Sequence, residues 1–584
     1  MSEHLLVVGL DFGTTYSGYA FQFRHQYNPS EPTVICAPQA WSDGKTKVHS
    51  MKTPTCLLLN ADKSINSFGF EAERRYIEIC DEDQEDEYYF FRRFKMKLHN
   101  VTEINASTIL ETEDKKKQLP ALEVFAKSIE CLKMKLIEDL GKMQEILRPD
   151  KDIFYVLTVP AIWNENAKRF MRQAAKQAGI EMDKLEISLE PECASLFCQY
   201  LPVDRFTSGG GQAQCVLTAP GTVYMIVDLG GGTADITVHE KLSGGKLREV
   251  HHACGGPWGG TMVDSYFIQM LSTIVQPLTF AEFMKIHAGD YLDLMRDFEL
   301  LKRKVSTKTE HPLTIKIPPT LNEVTLQWLK KSFKEALEDS EYSGRVYVTK
   351  DKLKITAPVA MQLFQQVADR LLPTLESCVE ELKKKRLPPV SLILMVGGFS
   401  ESLYIQEVVQ DMFSRQGGIR VLVPEEAGLC VLKGAVVFGR KPESIDSRIL
   451  RYTYGAEVTP PFDPALYDQA KRTKDGKRCA NVFKAFMERG KELRHGEELK
   501  TIYHTTAPNQ KSIALRIFAA EKDVKYTTDD GCNFVGTLTM KLNTPRPELQ
   551  DLAVEYIFGG TEIKVVGTEV KTNHTCEATI RMNE

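Results

Sequence analysis

The sequence predicts an α/β fold made of two related halves, followed by a mainly β domain. First, LVVGLDFGTTYSGYAF at 6–21 and YMIVDLGGGTADITV at 224–238 share an apolar strand, an aspartate, a glycine-containing turn with threonine, and a second strand. Second, strand and helix patterns alternate up to about residue 440, and from about residue 452 only strand patterns follow. We therefore expect a first lobe, a second lobe, an interdomain linker and a β domain, at 1–222, 223–442, 443–455 and 456–584.

Composition narrows the classes of partner. The 584 residues carry 74 Lys and Arg against 79 Asp and Glu, a net charge of −5, so no strong positive field favours nucleic acid or an anionic membrane, and we expect neither as a partner. The first residues show neither a basic segment nor the apolar core of a signal peptide, and nothing later approaches the roughly 20 apolar residues of a membrane span. We expect a cytoplasmic protein, with the nucleus as a further compartment.

The cysteines predict reduced thiols. There are 13 of them, at irregular spacings and without a CxxC pair, which favours neither a disulfide framework nor a zinc site. His251 and His252 are adjacent, but no second cluster of ligands accompanies them in the sequence. Metal binding by this pair is therefore not predicted.

The first half alternates helices and strands. The apolar residues of 119–147 recur at helical spacing and predict an amphipathic helix, while DIFYVLTVP at 152–160 predicts a buried strand. A further helix is predicted from Asn164, a suitable N-cap, to Gly179, a suitable C-terminal glycine.

Two other segments predict exposed chain, and two predict elements of the second half. The charge run 81–91 is typical of an exposed insertion, and the glycine-rich stretch 205–221 of a flexible connection. In the second half, 391–413 predicts a strand, the pair Gly397-Gly398, and a helix. The small residues of 421–439 predict a helix that packs closely on the one within 185–201.

Alternation from about residue 452 predicts a separate β domain. The segments 513–521, 534–542 and 553–566 alternate as strands, and Gly559-Gly560 supplies a hairpin turn. Since the sequence stops after a strand-like segment, we expect no helical domain after it.

The paired turns predict a nucleotide clamp. A GxxxxGK[ST] motif is missing from the sequence, so phosphate binding would come from the turns themselves. Backbone N–H groups and hydroxyls would come from Gly13, Thr14, Thr15, Gly230, Gly231, Gly232 and Thr233. Carboxylates ordering Mg²⁺ through water would come from Asp11, Asp228 and Asp235. Either motif alone is explained equally well by a tight hairpin; the pair favours the clamp.

The ordered motifs resemble a known superfamily. LDFGTTYSG, VPAIWNENAKRFMRQAAKQAG, LEPECASL, DLGGGTADI, MVGGFSES and PEEAGLCVLKGA occur in the order seen in actin, hexokinase and seventy-kilodalton heat-shock proteins. Tyr16 after the double threonine makes the heat-shock family the nearest. The resemblance implies a duplicated ribonuclease H-like, actin-like ATPase domain that binds ATP or ADP with Mg²⁺, and K⁺ as a further ion.

The resemblance also implies individual site residues. The family binds adenine through a helix, matched here by Glu299, Lys302, Arg303 and Ser306, which would share one helical face. Glu190 resembles the acid that helps to order Mg²⁺ and the attacking water. Lys95 or Lys97 is the counterpart of the catalytic lysine, and the two alternatives stay open. Asp228 and Thr233 complete the implied catalytic set.

Several positions depart from the family pattern. Phe399 and Glu401 follow Gly397-Gly398 where the family has a small hydroxyl residue and an arginine, and Glu425 replaces an aspartate. The linker 443–455 lacks the family's leucine-rich sequence, which puts coupling between the domains in doubt. The residues 482–542 resemble the peptide-binding β domain, and the expected absence of a helical lid resembles the divergent member-twelve branch.

Three functions follow from these matches and departures. The first is a chaperone-like slow ATPase that binds a protein or extended peptide client, with a co-chaperone or nucleotide-exchange factor as a further partner. The second is a non-enzymatic adaptor in which nucleotide only sets the conformation. The third is a sugar kinase, which does not predict the β domain; an actin-like filament is disfavoured for the same reason.

Overall fold

Two central sheets with the same strand order form the nucleus of the molecule. The computed structural model describes residues 4–581 except 38–40, 43–48, 100–103, 105–106, 144–146, 208–216, 218, 506–507, 543–544, 558–563, 573–574 and 578. Across the first sheet the strands are Leu185–Leu189, Ile153–Val159, Leu6–Phe12, Tyr16–Phe23 and Thr53–Pro54. The second sheet has seven strands, and the five that correspond to the first sheet are Arg420–Leu422, Leu392–Val396, Val223–Leu229, Ala234–Lys241 and Leu247–Gly256.

We number the five strands of each set from first to fifth by their order in the chain. Across both sheets they then lie in the order fifth, fourth, first, second, third. The first pairs parallel with the fourth and antiparallel with the second. The strands Leu6–Phe12 and Val223–Leu229 are buried along their whole length, as expected of apolar runs in a covered sheet. The duplicated sequence motif therefore corresponds to a duplicated sheet topology.

Helices cover both sheets. In the first lobe they are Phe70–Asp81, Ala121–Lys142, Pro149–Asp152, Glu165–Gln177 and Glu190–Cys198. In the second lobe they are Gly260–Val275, Pro277–Ile286, Ala288–Lys302, Pro319–Leu329, Phe333–Glu338, Ala357–Lys384, Leu403–Gln410 and Cys430–Arg440. Smaller strands are Trp41–Ser42, His49–Ser50, Cys56–Leu59, Ile65–Phe68, Tyr89–Arg92, Ile109–Glu111, Gln118–Pro120, Leu313–Lys316, Val346–Thr349 and Lys352–Ile355. None of the helices that the structure describes is long and apolar enough to cross a membrane.

The predicted helix ends in the first lobe are confirmed. The side chain of Asn164 accepts a hydrogen bond from the backbone N–H of Ala167 at 2.9 Å, and Gly179 has φ +75°. The predicted exposed insertion at 81–91 is wrong at its end, because Tyr89–Arg92 is a strand in which Phe90 and Phe91 are buried. Its aromatic residues outweigh the charges that precede them. The glycine-rich part of 205–221 lies outside the described residues.

Two helices join the lobes, and they pack as their small residues predict. A Cβ atom on Gly434 would lie 1.9 Å from the backbone oxygen of Cys193, so Cys430–Arg440 and Glu190–Cys198 touch through their backbones. Both helices share one buried core with side chains of the two central sheets, such as Val7 and Ile226. The residues at the start of Glu190–Cys198 are thereby held rigidly between the lobes.

The segment assigned as a linker is largely strand. Ile445–Ile449 pairs parallel with Leu247–Gly256 and antiparallel with Glu492–Arg494, so it extends the second-lobe sheet. Thr453–Val458 then enters the β domain. The described part of this segment is therefore bound to both domains by backbone hydrogen bonds.

The β domain consists of two antiparallel sheets. One has the order Val482–Met487, Thr453–Val458, Ser512–Ala520, Cys532–Lys541 and Thr579–Arg581. The other has the order Glu498–His504, Asp551–Ile557, Lys564–Glu569 and Thr575–Glu577. Side chains of both sheets, including Leu538 and Val554, form one core. The predicted strands are confirmed, while Gly559-Gly560 lies outside the described residues.

Candidate functional site

The two glycine turns lie against each other where the two lobes meet. A Cβ atom on Gly231 would lie 2.2 Å from Thr15 Oγ1, and one on Gly232 would lie 2.6 Å from Thr14 Oγ1. The second turn must therefore be glycine for the threonines of the first to fit against it. Gly13 is likewise restricted, since its Cβ would lie 2.1 Å from the backbone oxygen of Tyr16. We call this region, with the acidic residues beside it, the hairpin end of the lobe interface.

Four acidic side chains converge at the hairpin end, and each is mostly buried. Asp11 is the penultimate residue of the first strand, Asp228 and Asp235 lie opposite each other on the second-lobe hairpin, and Glu190 begins the helix between the lobes. The pKa of Asp228 is raised by burial first and then by the charges of Glu190, Asp235 and Asp11, which shows how close the four groups lie.

Two lysines balance part of this charge. Lys95 Nζ donates to Glu190 Oε1 at 2.8 Å, and Lys52 Nζ donates to Asp11 Oδ2 at 2.6 Å. Burial alone would lower the pKa of Lys52, but the carboxylates of Asp11, Asp228 and Glu190 together outweigh burial and raise it. Four carboxylates against two ammonium groups leave two negative charges when all are ionised. Such a surplus, made of oxygen ligands, suits a divalent cation such as Mg²⁺.

Burial raises the pKa of three of these acids, Glu190, Asp228 and Asp235. The pKa of Glu190 is raised to about 7, chiefly by burial, against the lowering effect of Lys95 and with further raising by Asp11 and Asp235. Burial also raises the pKa of Asp235, although its Oδ1 accepts the backbone N–H of Ile162 at 3.0 Å. Any cation that binds here therefore displaces protons.

The structure separates the two lysine candidates and adds a lysine that sequence reasoning missed. Lys95 is 2% exposed and reaches Glu190, whereas Lys97 is exposed to solvent. Lys52 carries no local motif. Its place follows from the short strand Thr53–Pro54, which pairs beside Tyr16 and Ser17 and so brings the preceding residue to Asp11.

At the other end of the lobe interface, which we call the helix end, the predicted adenine-site residues already have partners within the protein. Lys302 Nζ lies 2.6 Å from Asp264 Oδ1 and 2.6 Å from Glu299 Oε2. Arg93 of the first lobe also reaches Asp264 at 2.7 Å. This buried ion network joins the lobes and leaves Lys302 engaged.

The predicted continuous helical face is wrong at Ser306. The helix ends at Lys302, where the N–H of Arg303 turns back to the carbonyl of Leu301, and Ser306 lies in the following turn. The backbone N–H of Ser306 donates to Thr309 Oγ1 at 2.8 Å. Arg303 stays exposed, with its Nε 3.2 Å from Glu299 Oε1.

Tyr16, which follows the first glycine turn, lies near the second-lobe helix that carries Glu299. Burial, and then the charge of Glu299, raise the pKa of its hydroxyl, so this first-lobe side chain faces the second-lobe helix.

The turn after Leu392–Val396 contacts both the acids and the core. Gly397 has φ +86°, and a Cβ there would lie 2.3 Å from Asp228 Oδ1, while Gly398 has open space beside it. Phe399 is 8% exposed and lies against the ring of Phe364, with 6.4 Å between their centroids. Its side chain therefore belongs to the core of the second lobe.

Two acids at departing positions have partners of their own. Glu401 Oε1 accepts the backbone N–H of Gly428 at 3.3 Å. Glu425 pairs with Arg205 at 3.3 Å on the surface.

Comparison of the sequence with known proteins finds a family model and several similar proteins. The family model described as "Hsp70 protein" matches residues 86–441. The human Heat shock 70 kDa protein 12B is 32% identical, over 98% of this chain and 90% of that protein. The human Heat shock 70 kDa protein 12A is 32% identical, over 99% and 91%. The Chaperone protein DnaK of Methanothermobacter thermautotrophicus is 24% identical, over 89% and 71%.

Proposed function

The chain belongs to the Hsp70 protein family, in its 12A/12B-like branch, and from this premise we propose that it is a chaperone-like slow ATPase. It binds ATP with Mg²⁺ between the two lobes and holds an extended segment of a client protein on its β domain. The observation that carries the proposal is the buried cluster of Asp11, Asp228, Asp235 and Glu190, whose surplus negative charge lies beside two facing glycine turns.

The residues of the hairpin end divide the work of hydrolysis. Mg²⁺, when bound, neutralises charge on the phosphates and on the carboxylates. The turns offer backbone N–H groups and the hydroxyls of Thr14, Thr15 and Thr233 to phosphate oxygens. Lys95 holds Glu190 at 2.8 Å in a fixed direction, which lets this carboxylate orient a water molecule. Asp228 is the second group suited to that role.

Contacts at the linker support coupling between nucleotide and client. Arg448, on the strand that extends the second-lobe sheet, donates to both oxygens of Glu192, at 2.6 Å and 2.7 Å. Glu192 lies one residue beyond Pro191, which follows Glu190, so a bidentate ion pair joins the linker to the helix that carries the proposed water-orienting acid. If the lobes close on nucleotide, they displace the helix that they hold, and the ion pair transmits this displacement to the linker.

The β domain offers an edge for a client. Glu498–His504 lies at the edge of the described four-stranded sheet, and Ile502 on it is 57% exposed. An extended peptide can add to such an edge through backbone hydrogen bonds, with apolar side chains supplying preference. Asn166 Nδ2 also donates to the backbone oxygen of Phe534 at 3.0 Å, so the β domain contacts the first lobe directly.

An adaptor that binds nucleotide without hydrolysis is the second candidate. The observation in its favour is the helix end, where Lys302 is engaged by Asp264 and Phe399 is part of the core. A base held weakly there would leave nucleotide binding dependent on the phosphates alone.

Titration calorimetry of nucleotide-stripped protein with ATP, with and without Mg²⁺, followed by phosphate release from the same samples, separates the candidates. We expect Mg²⁺-dependent binding and slow release, and a loss of about 100-fold in release rate in Lys95→Met, because Glu190 then loses its partner. Lys97→Met is the matched control, since this exposed lysine lies two residues further along and should change release little. Binding without release would support the adaptor, and no binding would contradict both candidates.

A further inference from the structure

A second cluster of ligand-type side chains lies in the second lobe, where the strand Leu247–Gly256 meets the helix Ala357–Lys384. His251, Cys254 and Cys378 each place one ligand atom within 4.8 Å of the others. Glu381 Oε2 lies 3.0 Å from His251 Nε2 and completes the group. We propose that this cluster binds a transition-metal ion of the Zn²⁺ type and that the metal fixes the strand to the helix.

The backbone explains why these residues share one face. Residues three apart in a regular strand point to opposite sides of the sheet. Here the ladder with the neighbouring strand is irregular: Cys254 lies opposite Ile236 and His251 opposite Val238, so three steps on one strand match two on the other. This β-bulge turns both side chains toward the helix. On the helix, Cys378 and Glu381 are three residues apart and therefore also share a face.

The hydrogen bonds of His251 place its Nε2 against an acid. Its Nδ1 lies 2.8 Å from the backbone oxygen of His252, which can only accept, so Nδ1 carries a proton. In the neutral ring Nε2 is then an acceptor, and it faces the carboxylate oxygen of Glu381 at 3.0 Å. A proton on Nε2 satisfies this contact, and so does a metal ion bound by both atoms. The bond at Nδ1 is also the kind of outer contact that orients metal-binding histidines.

The donor set and spacing suit zinc. Two cysteine sulfurs, one imidazole nitrogen and one carboxylate oxygen match the ligands of tetrahedral Zn²⁺, whose bond lengths place ligand atoms roughly 3.5–3.8 Å apart. The sulfurs of Cys254 and Cys378 are 3.0 Å apart, so they need to separate by less than about 1 Å. Glu381 also faces Lys385 at 3.8 Å, and so we assign the fourth position to this carboxylate or to a water molecule that it holds.

Binding is balanced by proton release. The metal ion takes two thiolates and a neutral imidazole, so the two thiols lose two protons to solvent and no electrons move.

The strand Leu247–Gly256, which the metal would fix to the helix, leads directly to the hairpin end of the lobe interface. It continues to Gly256, and the following residues support the second glycine turn: Gly259 donates its N–H to the Gly232 oxygen at 3.1 Å, and Thr261 donates to the Gly231 oxygen at 2.8 Å. A metal at the cluster therefore stabilises the strand that precedes this support.

Metal analysis of the full chain tests the proposal. The protein is purified under reducing conditions without a metal-affinity step, stripped with a chelator, and titrated separately with Zn²⁺ and Co²⁺. We expect about one equivalent bound, and for Co²⁺ a thiolate-to-metal charge-transfer band with the visible bands of tetrahedral coordination. Binding should be lost in Cys254→Ser and Cys378→Ser, and kept in Cys131→Ser, which removes a half-buried thiol from a first-lobe helix.

The spectrum of the wild-type chain decides the outcome even if a variant folds poorly. A reduced wild-type protein that shows no thiolate-to-cobalt band overturns the proposal. Equal binding by the Cys254→Ser, Cys378→Ser double variant and by wild type also overturns it. A higher thermal unfolding temperature of wild type with Zn²⁺, unmatched in the double variant, supports the structural role.

Discussion

The hairpin end and the helix end of the lobe interface differ in how far their charges are satisfied by the protein itself. At the hairpin end, four buried acids meet two lysines, and burial raises the pKa of Glu190 to about 7. At the helix end, Lys302 is held by Asp264 and Glu299, and Glu401 by a backbone N–H. A cation therefore neutralises excess negative charge at the hairpin end. A ligand at the helix end has to replace contacts that already exist.

This difference predicts that most of the affinity for nucleotide comes from contacts with the phosphates of the nucleotide. Binding at the hairpin end relieves an unfavourable charge arrangement, whereas binding at the helix end replaces contacts that already exist. The comparison predicts three effects on the affinity for Mg·ATP, which titration calorimetry measures, and one effect on the stability of the nucleotide-stripped protein.

The largest effect is expected at the hairpin end, in Gly231→Asp. A Cβ there would meet Thr15 Oγ1 at 2.2 Å, and the new carboxylate would add charge beside four acids. We expect a loss of at least about 100-fold in affinity. Gly141→Asp is the matched control, because the same substitution on an exposed helix position with open space around it should leave affinity unchanged. Unchanged affinity in Gly231→Asp would refute the site.

A smaller effect should appear in the pH dependence. The folded protein holds a proton on Glu190 up to a pKa of about 7, and a bound cation must displace that proton. Affinity should therefore rise with pH, by at most about tenfold per unit below pH 7, and level off above it. In Glu190→Gln the rise should be much weaker, with the remainder due to Asp228. An identical pH profile in the variant would remove Glu190 from the cation site.

The same raised pKa has an opposite consequence for the ligand-free fold. Since Glu190 binds its proton more tightly folded than unfolded, its contribution to stability is present at low pH and is lost as the pH rises through about 7. Thermal unfolding of nucleotide-stripped protein, measured as the pH is raised through about 7, tests this contribution.

The smallest effects are expected at the helix end. Arg303→Ala removes an exposed guanidinium near Tyr16 and should weaken binding by about 2–5-fold, the usual range for an exposed charge. Ser306→Ala should change affinity by less than about twofold, because Ser306 lies beyond the helix and bonds to Thr309. A tenfold loss in Ser306→Ala would reverse the comparison between the two ends.

The sequence by itself determined the features that depend on neighbouring residues. Strand, aspartate and glycine turn recur in both halves, and each forms the same hairpin in the same sheet order. Asn164 caps the start of a helix and Gly179 follows its end, because capping is local. Gly434 marks a close contact between two helices, because only a residue without a side chain permits it. Family membership also follows from the motifs, since their order along the chain is itself sequence information.

The tertiary structure alone decided which distant side chains meet. It brings Lys52 to Asp11, directs Lys95 rather than Lys97 to Glu190, and ends the helix before Ser306. It also gathers His251 and Cys254 with Cys378, which lies 124 residues beyond Cys254. Such contacts depend on strand bulges, helix ends and packing between elements that are far apart in the chain, and no local pattern of residues records them.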